Sequence, residues 1–232
     1  MQNHSTSYDF LGGEVLLIDK PLTWTSFDVV NKIRYALKHR AGIPKIKVGH
    51  AGTLDPMATG LLIICTGKAT KQIDTYQARE KEYTGSFTLG KTTPSFDLET
   101  DVDHVFPVDH ITDKLIIKTA ELFTGKQQQI PPDFSAVKYK GKRAYMHARM
   151  NEEIKLKPRD IEIREFAIEH IKMPVVEFLI VCSKGTYIRS VARDFGKAMH
   201  SGAYLTSLKR TAIGDYKLAN ALSIEDFIES LK

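Results

Sequence analysis

At 232 residues, with 42% hydrophobic and 26% charged side chains, the chain has the make-up of an ordinary folded globular protein. A net charge of +5 and a pI near 9.0 favour a polyanionic partner, although the placement of charge says more than its total. No apolar run approaches the roughly 20 residues of a membrane-crossing helix, no His/Cys cluster has zinc spacing, and the polar start, Met1 to Asp9, lacks a signal peptide's apolar centre.

Residues 1–11 are expected to be a flexible leader. Glu14-Val15-Leu16-Leu17-Ile18 reads as a first strand, ended by Lys20-Pro21. Thr25-Ser26-Phe27-Asp28 has the form of a capping box. The helix it opens puts Val29, Val30, Ile33 and Leu37 on one face and stops before Gly42 and Pro44. Gly60 to Cys65 is a short buried strand or element end. Lys81 to Leu89 alternates, with Tyr83, Gly85, Phe87 and Leu89 on one side, and reads as a strand. Thr93 to Asp109 is polar and acidic and reads as a loop. Thr112 to Phe123 has helical spacing and ends at Gly125. Ser135 to Tyr139 is extended. Ile161 to Ile171 and Val175 to Cys182 form two strands joined at Met173-Pro174. Thr186 to Met199 is helical with Thr186 as its cap, Tyr204 to Ile213 is extended, and Ser223 opens a last short helix. Strands and helices mix without a regular βαβ rhythm, which gives an α+β class rather than a doubly wound sheet. Cys65 and Cys182, each inside an apolar run, are expected to be buried free thiols.

The most informative stretch is Gly49-His50-Ala51-Gly52-Thr53-Leu54-Asp55-Pro56-Met57-Ala58-Thr59-Gly60. No Asp or Glu lies between Asp28 and Asp55, while that interval holds Lys32, Arg34, Lys38, Arg40, Lys45 and Lys47. Pro56 biases Asp55 toward extended geometry, and the glycines allow a tight loop. The ordinary role of such an aspartate is to hold its own turn; the alternative is a fixed carboxylate in a basic setting. A second segment, Cys182 to Ser190, breaks an apolar strand at Gly185 and starts a helix bearing Tyr187 and Arg189. Arg189 is either a solvated helix arginine or one aimed at a carboxylate, keeping it ionised. Tyr83 in Lys81-Glu82-Tyr83 is either a packing residue or an aromatic that stacks on a flipped base. Ser135 to Arg159 carries Lys138, Lys140, Lys142, Arg143, Arg149, Lys155, Lys157 and Arg159 among Tyr139 and Tyr145. This is either a solvated face or a phosphate-and-stacking surface for RNA.

Five segments together resemble the bacterial tRNA pseudouridine-55 synthases. These are Gly12 to Pro21 with Thr25-Ser26, Lys47 to Leu62, Lys81-Glu82-Tyr83, Ser183 to Arg189, and Leu205 to Ala212 with Leu208-Lys209-Arg210. The resemblance covers about Gly12 to Tyr216, in the family's order and approximate spacing. It implies Asp55 as nucleophile, Arg189 as its partner and Tyr83 stacked on the target base. It also implies Leu208 lining the uridine pocket, Tyr187 beside the substrate, His50 filling space left by flipped nucleotides, and Lys20 supporting the floor of the site. The implied fold is a mixed, largely antiparallel sheet flanked by helices, with a cleft across it, over residues 12–232. Members of the family often continue into a small C-terminal RNA-binding domain, which is expected to be missing here, either by nature or by truncation.

The implied reaction breaks the uracil C–N glycosidic bond, turns the base and forms a C–C bond. It is neither redox nor hydrolytic, so neither cofactor nor metal is expected, and one carboxylate suffices where glycosidases use two. The implied partner is the T-arm stem-loop of tRNA, bound by a cytoplasmic monomer without an obligatory protein partner. The competing readings are an RNA-binding module without catalysis and a guide-RNA-dependent relative. A nucleotide enzyme is disfavoured, because Gly12-Gly13 and Gly85 form no phosphate-cradling fingerprint.

Overall fold

The computed structural model describes residues 8–150 and 152–231, so most of the expected leader, residues 1–7, lies outside the described residues. Two compact units make up the chain. One combines Met1–Arg79 with Lys209–Lys232, and the other is Glu80–Leu208. The first unit is therefore assembled from the two ends of the chain.

In the first unit the expected opening strand is β1, Val15–Lys20. Thr25 caps α1, Ser26–His39, in a complete capping box: Thr25 accepts from the Asp28 amide and Asp28 accepts from the Thr25 amide. The helix buries Val29, Val30, Ile33, Ala36 and Leu37. β2, Val48–His50, and β1 both pair antiparallel with β3, Thr59–Thr66. β3 is apolar without alternation because both its faces are covered. Leu62 and Ile64 join the core made by α1, Leu16, Ile18 and Phe10. Leu61, Ile63 and Cys65 join Tyr76 of α2, Ile73–Ala78, and Ile213.

The second unit begins with β4, Lys81–Leu89, as the alternation predicts. The expected acidic loop departs from a plain loop: Lys91–Thr92 (β5) pairs with His104–Val105 (β6), and Thr93, Ser95 and Asp97 are buried. Thr112 caps α3, Asp113–Leu122. The next strand, β7, Gly125–Gln129, went unrecognised, because a lysine and three glutamines carry no apolar period. Lys138–Tyr139 (β8) and Lys142–Arg143 (β9) form a small hairpin before α4, Ala144–Ala148. β10, Arg159–Lys172, and β11, Val175–Cys182, are the expected strand pair. β7 adds to β10, and β11 pairs antiparallel along the whole of β4. Phe87, Phe166, Phe178 and Phe195 fill the core, with α3 packed on β10 and on α5, Ile188–Ala198. The cap of α5 is Tyr187 rather than the expected Thr186. The Thr186 hydroxyl is spent on the Ser183 carbonyl, and the Tyr187 amide is taken by Gln129 Oε1.

β12, Ala203–Ile213, neighbours β4 with its first half, and its last half returns the chain to the first unit. There it runs parallel to β3, with Lys209 opposite Thr59 and Arg210 opposite Gly60, so this sheet is mixed. β13, Tyr216–Lys217, folds back on β12. Ser223 caps α6, Ile224–Glu229, whose Ile224 and Phe227 complete the α1 core. The class is α+β, as the sequence indicates.

Candidate active site

Asp55 lies in the loop between β2 and β3, half-buried and held from both sides. Just before it, Leu54 is clipped to the first turn of α1. The Leu54 amide donates to Ser26 Oγ at 2.8 Å and Ser26 Oγ donates to the Leu54 carbonyl at 3.0 Å. Just after it, the Pro56 carbonyl accepts from the Thr23 amide at 2.8 Å. Thr23 is a β-branched residue with φ of 69°, a conformation that persists only where surrounding contacts impose it. The Ala58 amide closes the turn onto the Asp55 carbonyl.

Two fully buried cations belong to the same unit. Lys20, at the end of β1, donates to the Pro21 carbonyl at 2.9 Å and the Trp24 carbonyl at 2.6 Å. Burial pushes its ammonium down to about 8, against the attraction of Asp55, and Arg210 pushes it further the same way. Arg210 points its Nε at the Leu61 carbonyl (2.8 Å) and its Nη2 at the Gly52 carbonyl (3.1 Å). Gly60 faces Lys20 on one neighbouring strand and Arg210 on the other. A Cβ at Gly60, whose φ is +100°, would sit 2.4 Å from the Arg210 carbonyl oxygen, so no other residue fits. His50 ends β2 half-buried; burial, then the charge of Arg210, holds its imidazole below its ordinary pKa. Its Nδ1 is buried without a hydrogen-bond partner among the described residues.

In the second unit, Arg189 is a buried arginine in the first turn of α5, not a solvated one. Its Nε lies 3.6 Å from Asp97 Oδ2, and both side chains are 4% exposed. Nη1 donates to the Ser95 carbonyl (3.2 Å) and Nη2 to the Phe134 carbonyl (2.9 Å). Asp97 is itself held by Ser95 Oγ (2.6 Å) and the Glu99 amide (2.9 Å), so the guanidinium sits in a preformed mould. Tyr187 is half-buried, its backbone locked by both groups of the buried Gln129 amide.

Tyr83 occupies a buried position of β4 opposite Ile180. Two residues on, Gly85 is a close-approach glycine: a Cβ there would meet the Ser207 carbonyl at 2.3 Å. Ser86 and Thr206 hydroxyls add a contact at 2.9 Å. The half-buried Leu208 follows Ser207 on β12, on the same neighbouring strand.

The basic segment of the second unit is exposed at all eight of its Lys and Arg residues named above. Arg149 pairs with Glu99 (3.1 Å) and lies over Tyr145, while Lys140 lies over Tyr139. Among the described residues no helix is long and apolar enough to cross a membrane, and no group of His, Cys, Asp and Glu gathers in a metal-holding arrangement. Both cysteines are free and buried, and burial pushes the Cys65 thiol up to about 11.

Three residues were not identified from sequence. Asp97 hides in a loop whose acidity reads as exposure. The hydroxyl of Ser26 reads as part of a cap. Arg210 sits within a recognised motif, but its spacing from Gly52 carries no local signal.

Residues 38–188 match the TruB family pseudouridylate synthase N-terminal domain. The chain is 56% identical over 228 residues to a tRNA pseudouridine synthase B of Flavobacterium johnsoniae, covering 98% of this chain and 100% of the relative. It is 54% identical over 224 residues to one from Parabacteroides distasonis, covering 95% of each. In fold it is similar to a chain in the crystal structure of a Cbf5–Nop10–Gar1 complex, with a TM-score of 0.71 and 25% identity over 95% of this chain and 54% of the other. A chain of an H/ACA RNP bound to a substrate RNA containing 2'-deoxyuridine gives a TM-score of 0.69 at 24% identity, over 95% of this chain and 53% of the other. The present chain spans about half the length of these two structural neighbours.

Proposed function

The chain belongs to the TruB family of pseudouridylate synthases, and on that premise we propose that it isomerises uridine to pseudouridine at position 55 in the T-loop of tRNA. The observation that carries this reading is Asp55 itself: one carboxylate on a loop pinned at the residues before and after it, with a buried ammonium, Lys20, feeling its charge.

The reaction is an isomerisation that leaves the composition of the nucleoside unchanged: N1 gains a proton as its bond to the sugar breaks, and C5 gives its hydrogen up to solvent as its new bond forms. The glycosidic C–N bond breaks, uracil turns while held in the site, and its C5 bonds to the sugar C1′. Asp55 is the nucleophile that carries the intermediate across the gap between bond breaking and bond making. A carboxylate does this only when it is aimed, and the contacts of Ser26 on Leu54 and Thr23 on Pro56 supply the aim. Arg189 supplies the second cation, its fork oriented by Asp97, Ser95 and Phe134. Tyr83 stacks on the extruded base and Leu208 forms the apolar wall of the uridine pocket. Tyr187 lies beside the substrate, and a neutral His50 fills the space that the flipped nucleotides leave.

Extruding a base from a folded loop costs a few kcal/mol, offset by stacking worth roughly 1–3 kcal/mol per base and by phosphate contacts. The exposed cations of Ser135 to Arg159 make those contacts, reading the T-arm by shape rather than by sequence. Residues 12–232 carry the activity as a cytoplasmic monomer that acts on naked tRNA. Release of tritium from a transcript labelled at uridine C5 measures the reaction directly. Wild type is expected to release it from whole tRNA and from an isolated T-arm hairpin, and Asp55→Asn from neither. A chain that binds RNA but releases no tritium would be a binding module. One that needs added proteins would follow the Cbf5–Nop10–Gar1 assembly of its structural neighbour.

A further inference from the structure

We propose that Arg210 is a positioning residue that fixes the nucleophile loop, acting on Asp55 through the backbone rather than on substrate. This rests on Asp55 being the nucleophile.

Arg210 is 1% exposed. Burying a guanidinium is costly unless its donors are matched. Among the described residues its matches are backbone carbonyls: Leu61 at 2.8 Å, Gly52 at 3.1 Å and, at the long limit, Thr53 at 3.5 Å. Gly52 and Thr53 lie just upstream of Asp55, past the end of β2, where no strand ladder satisfies their carbonyls. Leu61 lies downstream, inside β3. The backbone of Arg210 meanwhile stands opposite Gly60, where the loop ends. One residue thus ties both arms of the loop, its side chain at the entrance and its main chain at the exit. Ser26 and Thr23 pin the two residues flanking Asp55; Arg210 fixes the frame they hang on.

The fork geometry matters as well as the charge. A lysine presents a point charge and cannot span carbonyls on opposite arms of a loop. Arg210→Met removes the clasp, and Arg210→Lys keeps the charge without it. Misplacing a reacting group by about 1 Å costs on the order of 100-fold in rate. A fall of that size is expected in the single-turnover rate of Arg210→Met on tRNA transcript, with a smaller fall for Arg210→Lys, and with RNA affinity unchanged in both. Ile33→Val, a core truncation in α1, serves as the control for lost stability and is expected to keep its rate below its melting temperature. If Arg210→Met does not fold, Arg210→Lys carries the test.

A full rate in Arg210→Lys, or a loss of affinity that accounts for the whole effect, would overturn the inference. So would a rate loss no larger than that of a control with the same fall in Tm. Asp55→Asn, run alongside, separates two failures. If it turns over, the nucleophile reading falls and takes this inference with it. If it is inactive while Arg210→Lys keeps the full wild-type rate, this inference alone falls.

Discussion

The Asp55 loop, residues 51–60, and the basic segment, residues 135–159, are built on opposite plans. The loop is held by groups it does not own: the buried Ser26 on Leu54, the backbone of Thr23 on Pro56, and the buried Arg210 on Gly52. The basic segment presents its cations to solvent, and the partners it does find are local or on the surface, such as Arg143 on the Ala136 carbonyl and Arg149 on Glu99. Chemistry needs a carboxylate whose position is settled before substrate arrives, because reorganisation at the moment of reaction costs rate. Capture of a polyanion needs charge that is accessible and tolerant of register. The loop should therefore respond to mutation through turnover and stability, and the segment through affinity and salt.

The sharpest break is Asp55→Asn. It is expected to bind tRNA as wild type does and to make no detectable pseudouridine by tritium release. Arg189→Lys comes next. Lysine cannot serve Asp97, Ser95 and Phe134 together, so turnover should fall by on the order of 100-fold, with binding little changed by filter retention.

Lys20 links turnover to pH. Its ammonium, pushed down to about 8 from an ordinary 10.5, loses its proton first in the folded state. Between those values the unfolded chain binds the extra proton, so stability rises with pH across that window. The rise is about 3 kcal/mol at roughly 1.4 kcal/mol per unit. Lys20→Met should remove that increment, measured as the difference between the two proteins in urea unfolding at several pH values. Turnover moves the other way. As Lys20 discharges above about 8, Asp55 loses a neighbouring cation and the rate should fall, and Lys20→Arg should carry that limb to higher pH.

Ser26→Ala leaves the Leu54 amide and carbonyl buried without their partner, a loss of about 1–3 kcal/mol in urea unfolding. Smallest at the level of one residue is the basic segment. Replacing Lys138, Lys140 and Lys142 by glutamine should leave the saturated rate alone, weaken binding, and flatten log K against log salt by roughly 0.7–0.9 per lost phosphate contact. A lower saturated rate in that variant would blur the contrast between the two regions.

Legibility in the sequence follows the range over which each signal acts. A loop at Asp55, the Thr25 capping box and the alternation of β4 are each encoded within a dozen residues, and the structure has all three. β7 failed because glutamines carry no apolar period; its place is set by pairing with β10. Thr186 looked like a cap because its local chemistry suits one, yet Gln129, 58 residues away, claims the Tyr187 amide first. Asp97 reads as surface charge until the loop folds and buries it beside Arg189. Arg210 is the extreme case, since its bond to Gly52 spans 158 residues. Side chains that act locally announce themselves, whereas those that support another element do so only in three dimensions.

The first unit's division between the chain's two ends has a consequence for synthesis. Translation makes the Asp55 loop well before the strand that clasps it, since Gly52 and Arg210 stand 158 residues apart. Domains emerging from the ribosome fold as units, so a nascent chain carries Asp55 on an unfinished frame until Lys209 and Arg210 have emerged. The loop would then take its fixed shape only once that strand is in place.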